Sequence, residues 1–82
     1  MKMNKDQLKI KLTGVFKKIF DDQSISISNE MTASDIDNWD SLSHMLLISE
    51  IEDVFSIKFK LKELNKLKNV GLLIETIFNK IT

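Results

Sequence analysis

Apolar side chains recur with the period of an α-helix in three segments of this chain. Within residues 4–20 the apolar positions form one stripe: Leu8, Leu12, Val15, Phe16, Ile19 and Phe20. After Asn69, which is expected to be an N-cap, another stripe repeats at intervals of three and one: Val70, Leu73, Ile74, Ile77, Phe78 and Ile81. This spacing puts apolar side chains on one face of a helix, so both segments are expected to be amphipathic helices.

The middle helical segment has two apolar faces. It is expected to begin at Asp40 or Ser41, with Asp40 as the N-cap and Trp39 in the staple position, and to run to about Phe55. Its core face is an arc of about 120°. The residues on that arc are Leu47, Ile48, Ile51, Val54 and Phe55, with His44 beside them. Nearly opposite lies a second apolar set, formed by Leu42, Met45 and Leu46. It is interleaved with three acids, Glu50, Glu52 and Asp53.

The second apolar set on this helix has two interpretations. In one, the long segment before the helix packs on that side and buries it. In the other, the set is a docking surface for a partner whose apolar groove is rimmed by Arg or Lys.

Between the first two helices, residues 21–40 show no helical period. Residues 24–28 alternate as a strand would, but a lone strand has no partner, so we expect a long loop whose isoleucines contact the core. A short helical turn is expected around Lys62 to Lys66, held by Leu61 and Leu64. The expected fold is all-α, a four-helix bundle with three main helices and one short one, in a single domain spanning residues 1–82.

Composition excludes several classes of function. A chain of 82 residues leaves little room for a substrate cavity, so an enzyme is not expected. With no cysteine and one histidine, no metal site is expected. The longest apolar run, residues 45–48, is far too short to span a membrane, and the N-terminus lacks a signal-peptide core. A cytoplasmic location is therefore expected.

Charge is segregated along the chain although the net charge is zero. Residues 21–53 hold nine of the twelve acids and no Lys, while the twelve lysines flank them. A negative central region argues against nucleic-acid binding. Asp35, Asp37 and Asp40 share a segment without bases, so they either repel one another, in which case divalent cations would relieve the repulsion, or are simply solvated.

Ser41 stands where the acidic loop meets a helix N-terminus, so its hydroxyl is expected to be exposed. A phosphodiester is electrostatically favourable at that end of a helix. Serine is also a common residue at helix starts for purely structural reasons. His44 lies three residues on, but no third group or oxyanion loop accompanies a Ser–His pair, and His44 with Asp40 makes only two ligands for a metal.

The arrangement of these motifs resembles the acyl carrier protein family. The resemblance rests on Asp40-Ser41-Leu42 at the head of an apolar helix, Ile51-Glu52 within it, Phe55-Ser56-Ile57 after it, and a last helix opening at Val70. It covers nearly the whole chain. It implies that Ser41 receives 4'-phosphopantetheine from coenzyme A through a separate Mg-dependent transferase, and that an acyl or aminoacyl group is then carried as a thioester. The missing cysteine is consistent with this, because the cofactor brings the thiol.

The resemblance also implies partners and a recognition surface. By position, the residues matching the partner-recognition helix are Asp40, Leu42, Met45, Leu46, Glu50, Glu52 and Asp53. The implied partners are a phosphopantetheinyl transferase and acyl-loading, acyl-transferring or condensing enzymes, and the implied state is a monomer. His44 would lie near the mouth of the helical core, where it either guards an acyl pocket or stacks on Trp39.

The chain departs from the carriers of primary fatty-acid synthesis in several ways. Those carriers are usually strongly acidic with a small residue before the Asp-Ser-Leu, whereas this chain is neutral and has Trp39 there, with Ser43 and Leu46 in the following helix. A dedicated pathway of secondary or polysaccharide type is therefore an alternative to fatty-acid synthesis. The alternative to any carrier is an unmodified helical interaction module that uses the same acidic and apolar face.

Overall fold

The computed structural model describes residues 3–82, and the part it describes is all-α. The helices are α1 (Lys5–Phe20), α2 (Ser41–Phe55), α3 (Leu61–Leu64) and α4 (Val70–Ile81), with a single 3₁₀ turn at Ala33–Asp35. No strand occurs in residues 3–82, so the alternating residues 24–28 belong to a loop as expected. The expected bundle, with its long loop between the first two helices, is confirmed.

Side-chain caps set where the long helices begin. Asn4 Oδ1 accepts from the Gln7 backbone N–H at 2.8 Å, and Gln7 Oε1 accepts in return from the Asn4 N–H at 3.0 Å. Asn69 Oδ1 accepts from the Leu72 N–H at 2.8 Å, which confirms the predicted start of α4. These bonds satisfy N–H groups that have no partner within the helix.

The core is built from the predicted stripes of α1, α2 and α4. Its buried side chains are Leu8, Leu12, Val15 and Phe16 from α1, Leu47, Ile48, Ile51 and Phe55 from α2, and Val70, Leu73, Ile74 and Ile77 from α4. The helix α1 packs against both α2 and α4. Ile27 is buried and Ile25 and Ile36 pack at the edge of the core, so the loop is held by its isoleucines.

Backbone hydrogen bonds tie the long loop to the start of α4. The Val70 N–H donates to the Met31 carbonyl at 2.8 Å, and the Gly71 N–H donates to the Asn29 carbonyl at 2.9 Å. A Cβ at position 71 would lie 3.0 Å from that Asn29 oxygen. The close approach of the loop to the start of α4 therefore depends on a glycine at this position.

The short helix α3 differs from the sequence prediction. It spans Leu61–Leu64 instead of residues 62–66, and Leu61 does not hold it, because that side chain is 76% exposed. Ile57, Phe59 and Leu67, which flank α3, pack on the core instead. The short helix itself was predicted, but the role given to Leu61 was wrong, because apolar spacing within so short a segment does not show which side faces the core.

Candidate functional site

The head of α2 is fixed by a reciprocal pair of hydrogen bonds between Asp40 and Ser43. Asp40 Oδ1 accepts from the Ser43 N–H at 2.9 Å, and Ser43 Oγ accepts from the Asp40 N–H at 2.8 Å. The bond from the Ser43 N–H lowers the pKa of the Asp40 carboxyl below its usual value. Asp40 is therefore the N-cap, as predicted, and Ser41 is the first residue of the helix.

Ser41 and Ser43 differ sharply in the freedom of their hydroxyls. Ser43 Oγ also donates to the Asn38 carbonyl at 2.6 Å, so it is held from two sides. Ser41 is exposed, and no hydrogen bond within the described residues engages its hydroxyl. The role of Ser43 was not predicted, although Ser43 occupies N3, the position from which a capping-box side chain reaches back to the N-cap. Of the two, only Ser41 presents an available hydroxyl at the positive end of α2.

The side chains of Trp39 and His44 are in direct contact beside Ser41. Their rings are nearly parallel, with planes 20° apart and centroids 6.1 Å apart, and the indole Nε1–H donates to His44 Nδ1 at 3.1 Å. Trp39 also packs edge-on against Phe16, with centroids 5.4 Å apart. The predicted contact between His44 and Trp39 is thus observed, made through the ring edges, and it joins the N′ and N4 positions as a staple does.

The hydrogen bond from Trp39 defines the state of His44. Because Nδ1 accepts from the indole, the proton of the neutral ring lies on Nε2. Burial lowers the pKa of His44 from 6.5, which further favours the neutral form. No carboxylate orients this ring within residues 3–82, so the arrangement lacks the third member of a hydrolytic triad.

Two spaces adjoin the Trp39–His44 pair. An open cleft of about 550 Å³ lies in front of it, lined by Ala33, Trp39, Asp40, Ser41, His44 and Met45. A smaller, partly open pocket of about 60 Å³ also adjoins the pair, lined by Ala33, Trp39, His44, Leu67, Lys68, Asn69 and Leu73. Ser41 therefore opens onto a cleft that is lined in part by the indole of Trp39.

The second apolar set on α2 is exposed. Leu42, Met45 and Leu46 are 72%, 60% and 52% exposed, so the interpretation in which the loop covers this face is wrong. We call these three residues the outer face of α2. The loop packs Trp39 onto α1 instead, where Phe16 and Phe20 receive it.

The three acids beside the outer face have different surroundings. Glu50 pairs with Lys18 at 2.9 Å between carboxylate oxygen and Nζ. Glu52 accepts from the Phe59 N–H at 2.9 Å and lies 3.9 Å from Lys58 Nζ, so it also fixes the chain after α2. Asp53 is exposed. Of these three acids, the one whose carboxylate is most available to a partner is therefore Asp53.

Two of the three loop carboxylates, those of Asp35 and Asp40, have local hydrogen-bond partners. Asp35 Oδ2 accepts from the Thr32 N–H at 2.8 Å, and Asp40 is engaged in its cap. Over residues 3–82, no three His, Cys, Asp or Glu side chains are grouped so that they could hold a metal ion. In the same range, every helix is too short or too polar to cross a membrane.

Comparison with known proteins gives one informative match. No protein-family model matches the chain, and no curated protein does. A solved structure does: the solution NMR structure of a holo acyl carrier protein from Geobacter metallireducens is 54% identical, with 84% of this chain and 79% of that chain covered. The two folds superpose with a TM-score of 0.81. With that identity over most of both chains and an exposed serine heading α2, the chain belongs to the acyl carrier protein family.

Proposed function

We propose that this chain carries acyl or aminoacyl groups as thioesters on a 4'-phosphopantetheine group attached to Ser41 Oγ. When bound, that group supplies a flexible arm with a terminal thiol, which this cysteine-free chain lacks. The observation that carries the proposal is the exposed, unengaged Ser41 hydroxyl at the first position of α2. The holo state of the structural relative from Geobacter metallireducens supports it.

The surroundings of Ser41 fit such a group. Its position at the helix N-terminus favours a negatively charged phosphodiester, because the helix dipole is positive there. Asp40 turns its carboxylate to the Ser43 N–H, so that carboxylate is occupied by the cap. The cleft beside Ser41 offers the Trp39 ring and the Met45 side chain to an arm that rests on the surface.

We further propose that the outer face of α2 selects the partner enzymes. Leu42, Met45 and Leu46 present an apolar surface, and lysines are absent from residues 21–57. A partner with an apolar groove rimmed by Lys or Arg complements both features. Because the outer face carries leucine where an acid would strengthen charge pairing, we assign the chain to a dedicated synthetase or transferase instead of primary fatty-acid synthesis.

Mass spectrometry tests the attachment site. Incubated with coenzyme A and a promiscuous phosphopantetheinyl transferase, the wild-type chain should gain one phosphopantetheine and Ser41→Ala should gain none. Ser43→Ala is the matched control, since it changes a serine two residues away and should still be modified. If the wild-type mass does not change, the carrier proposal is wrong, and an unmodified interaction module using the outer face becomes the better explanation.

A further inference from the structure

Residues 58–68, which include α3, carry a concentration of positive charge. The segment holds five lysines and a single acid, Glu63. We call the five lysines the basic patch, and all of them are exposed: Lys58, Lys60, Lys62, Lys66 and Lys68. Its sign is opposite to that of residues 21–53, which contain no lysine.

Little of this positive charge is neutralised within the molecule. The acid of the segment, Glu63, is paired with Lys80 at 2.8 Å, and Lys80 lies outside the patch. Lys58 Nζ is 3.9 Å from a carboxylate oxygen of Glu52. The other four lysines of the patch take part in none of the ion pairs found within residues 3–82. Their ammonium groups are therefore available to a partner.

The basic patch runs alongside α2. At one end, Lys58 contacts Glu52 in the last turn of α2, and the Phe59 N–H donates to the same carboxylate at 2.9 Å. At the other end, Lys68 lines a pocket together with His44, near the start of α2. The patch thus borders α2 from its last turn back to its head, where Ser41 lies.

The two flanks of the outer face of α2 differ in charge. Glu50 and Glu52 lie on opposite flanks, because successive helical residues are about 100° apart. Glu50 is paired with Lys18 at 2.9 Å, so its flank faces α1 and the charges there are balanced. Glu52 contacts Lys58, so its flank faces the basic patch, where most of the charge is unpaired.

An enzyme docked on the outer face of α2 cannot avoid the basic patch. A typical interface covers about 800 Å² on each partner, which corresponds to a disc about 30 Å across. A helix with its side chains is only about 10 Å wide. The footprint of the enzyme therefore extends beyond α2 on both sides, and on one side it meets the lysines.

We propose that the basic patch is a second docking surface, which selects partner enzymes that carry Asp or Glu on the side of their groove facing α3. The inference rests on the proposed function, because it assumes that these enzymes dock on α2. The groove then has a rim of two signs, with Lys or Arg opposite Asp53 and acids opposite the patch. An enzyme with a basic rim on both sides would bring like charges together, and it is excluded for that reason. An anionic membrane fits less well, since the acids of α2 beside the patch would face the same headgroups.

Charging by a general partner tests the exclusion. The probe is an acyltransferase of fatty-acid synthase with a basic docking surface, acting on the holo chain. In Lys66→Glu/Lys68→Glu, the initial charging rate should be about fivefold that of wild type or more at about 0.1 M NaCl, because two repulsive contacts become attractive. At about 1 M NaCl the Debye length is about 3 Å, so the difference should shrink below about twofold.

A matched variant separates position from net charge. Lys9→Glu/Lys17→Glu makes the same change of net charge on α1, and neither lysine takes part in an ion pair within residues 3–82. It should be charged at the wild-type rate. Thermal melts verify that both double variants are folded.

A peptide titration tests the preference for acids and does not require a modified serine. Hexaglutamate is added to the ¹⁵N-labelled unmodified chain, and amide signals are followed by NMR. The amides of residues 58–68 should shift in the wild-type chain, and their shifts should be strongly reduced in Lys66→Glu/Lys68→Glu. Hexalysine, the probe of opposite sign, should instead shift amides around Asp53.

Three results would overturn the inference. One is that hexaglutamate leaves the amides of residues 58–68 in place. Another is that Lys66→Glu/Lys68→Glu is charged no faster than wild type at low salt. The third is co-sedimentation of the wild-type chain with phosphatidylglycerol vesicles, which would assign the patch to a lipid surface. A wild-type chain that gains no phosphopantetheine would overturn the proposed function instead, and the two failures are distinguishable because the peptide titration uses the unmodified chain.

Discussion

Trp39 and His44 flank the start of α2 and are joined by a hydrogen bond of 3.1 Å from the indole Nε1 to the imidazole Nδ1. Both partners need the imidazole to be neutral, because a protonated ring has no acceptor nitrogen. The protonation state of His44 is thereby coupled to the packing of Trp39, which lies two residues before Ser41.

This coupling predicts the pH dependence of stability. Burial lowers the pKa of His44 below 6.5, so the unfolded chain takes up a proton before the folded chain does as the pH falls. Stability should be complete above about pH 6.5 and decline as the pH falls toward the folded-state pKa. Thermal melts between pH 5 and 8, with Trp39 emission as the probe, measure this. In His44→Phe the decline near pH 6 should be absent; an identical decline there would contradict the assignment.

A separate loss of stability is expected at lower pH. Hydrogen bonds from Ser24, from Ser43 and from Lys80 lower the pKa of the Asp22, Asp40 and Glu63 carboxyls, respectively. The stability these groups contribute is present above their unfolded pKa values near 4 and is lost as the pH falls through the folded values. This second phase should persist in His44→Phe, because it belongs to other groups.

The capping bonds of Ser43 predict a difference between two serines of α2. Ser43→Ala removes the acceptor for the Asp40 N–H and the donor to the Asn38 carbonyl, so it should lower the free energy of unfolding by about 1 kcal/mol. Ser49→Ala changes an exposed position and should stay within about 0.5 kcal/mol of wild type. Urea unfolding at neutral pH measures both. Equal effects would show that the reciprocal bonds contribute little.

The two glycines of the chain should respond in opposite ways to alanine. Gly14 is exposed within α1 and has open space around it, so Gly14→Ala should stabilise the chain by about 0.5–1 kcal/mol. At Gly71 a Cβ would meet the Asn29 carbonyl at 3.0 Å and Asn29 Cβ at 3.1 Å. Gly71→Ala should therefore destabilise by about 1 kcal/mol net despite its better helix propensity. Thermal melts of the two variants decide this, and stabilisation by both would contradict it.

The composition of the outer face predicts poor charging by a general partner. An acyltransferase of fatty-acid synthase should load the wild-type carrier slowly and load Leu46→Glu faster, because the added carboxylate complements a basic partner surface. Ile10→Glu introduces the same charge at an exposed site on α1 and should have no effect. Initial charging rates are the measurement. If the wild-type chain is already charged as fast as a carrier of primary fatty-acid synthesis, the dedicated-partner proposal is wrong.

Divalent cations should affect the Tm of this chain only through ionic strength. Asp35 and Asp40 accept hydrogen bonds from nearby backbone N–H groups, and residues 3–82 contain no cluster of three metal-binding side chains. Added Mg²⁺ or Ca²⁺ should therefore leave Tm where NaCl of equal ionic strength puts it. A larger rise with either cation would show a binding site among the loop carboxylates.

Much of this arrangement was accessible from the sequence because it depends on local patterns. Helical periodicity predicted α1, α2 and α4, and the N-caps Asp40 and Asn69 were identified by residue type and position. The exposure of Ser41 followed from its place at a helix start. The staple contact of Trp39 followed in the same way, since residues at N′ and N4 often pack against each other at a helix start.

What the sequence did not reveal depends on contacts between distant segments. The requirement for Gly71 comes from the Asn29 carbonyl, which lies far away in the chain. Whether the outer face was covered depended on the route of the loop, which no periodic pattern describes. The orientation of Leu61 was mispredicted for a similar reason, since the residues that anchor α3 lie outside it.

The hydrogen bonds from Val70 and Gly71 to the loop have a consequence during synthesis of the chain. The loop leading to Ser41 has its backbone anchors on residues that the ribosome adds some forty positions later. Contacts between segments so far apart form only when both are present. The loop cannot therefore settle on a nascent chain that stops before residue 71, and a modifying enzyme that needs the ordered loop must act after translation has passed that point.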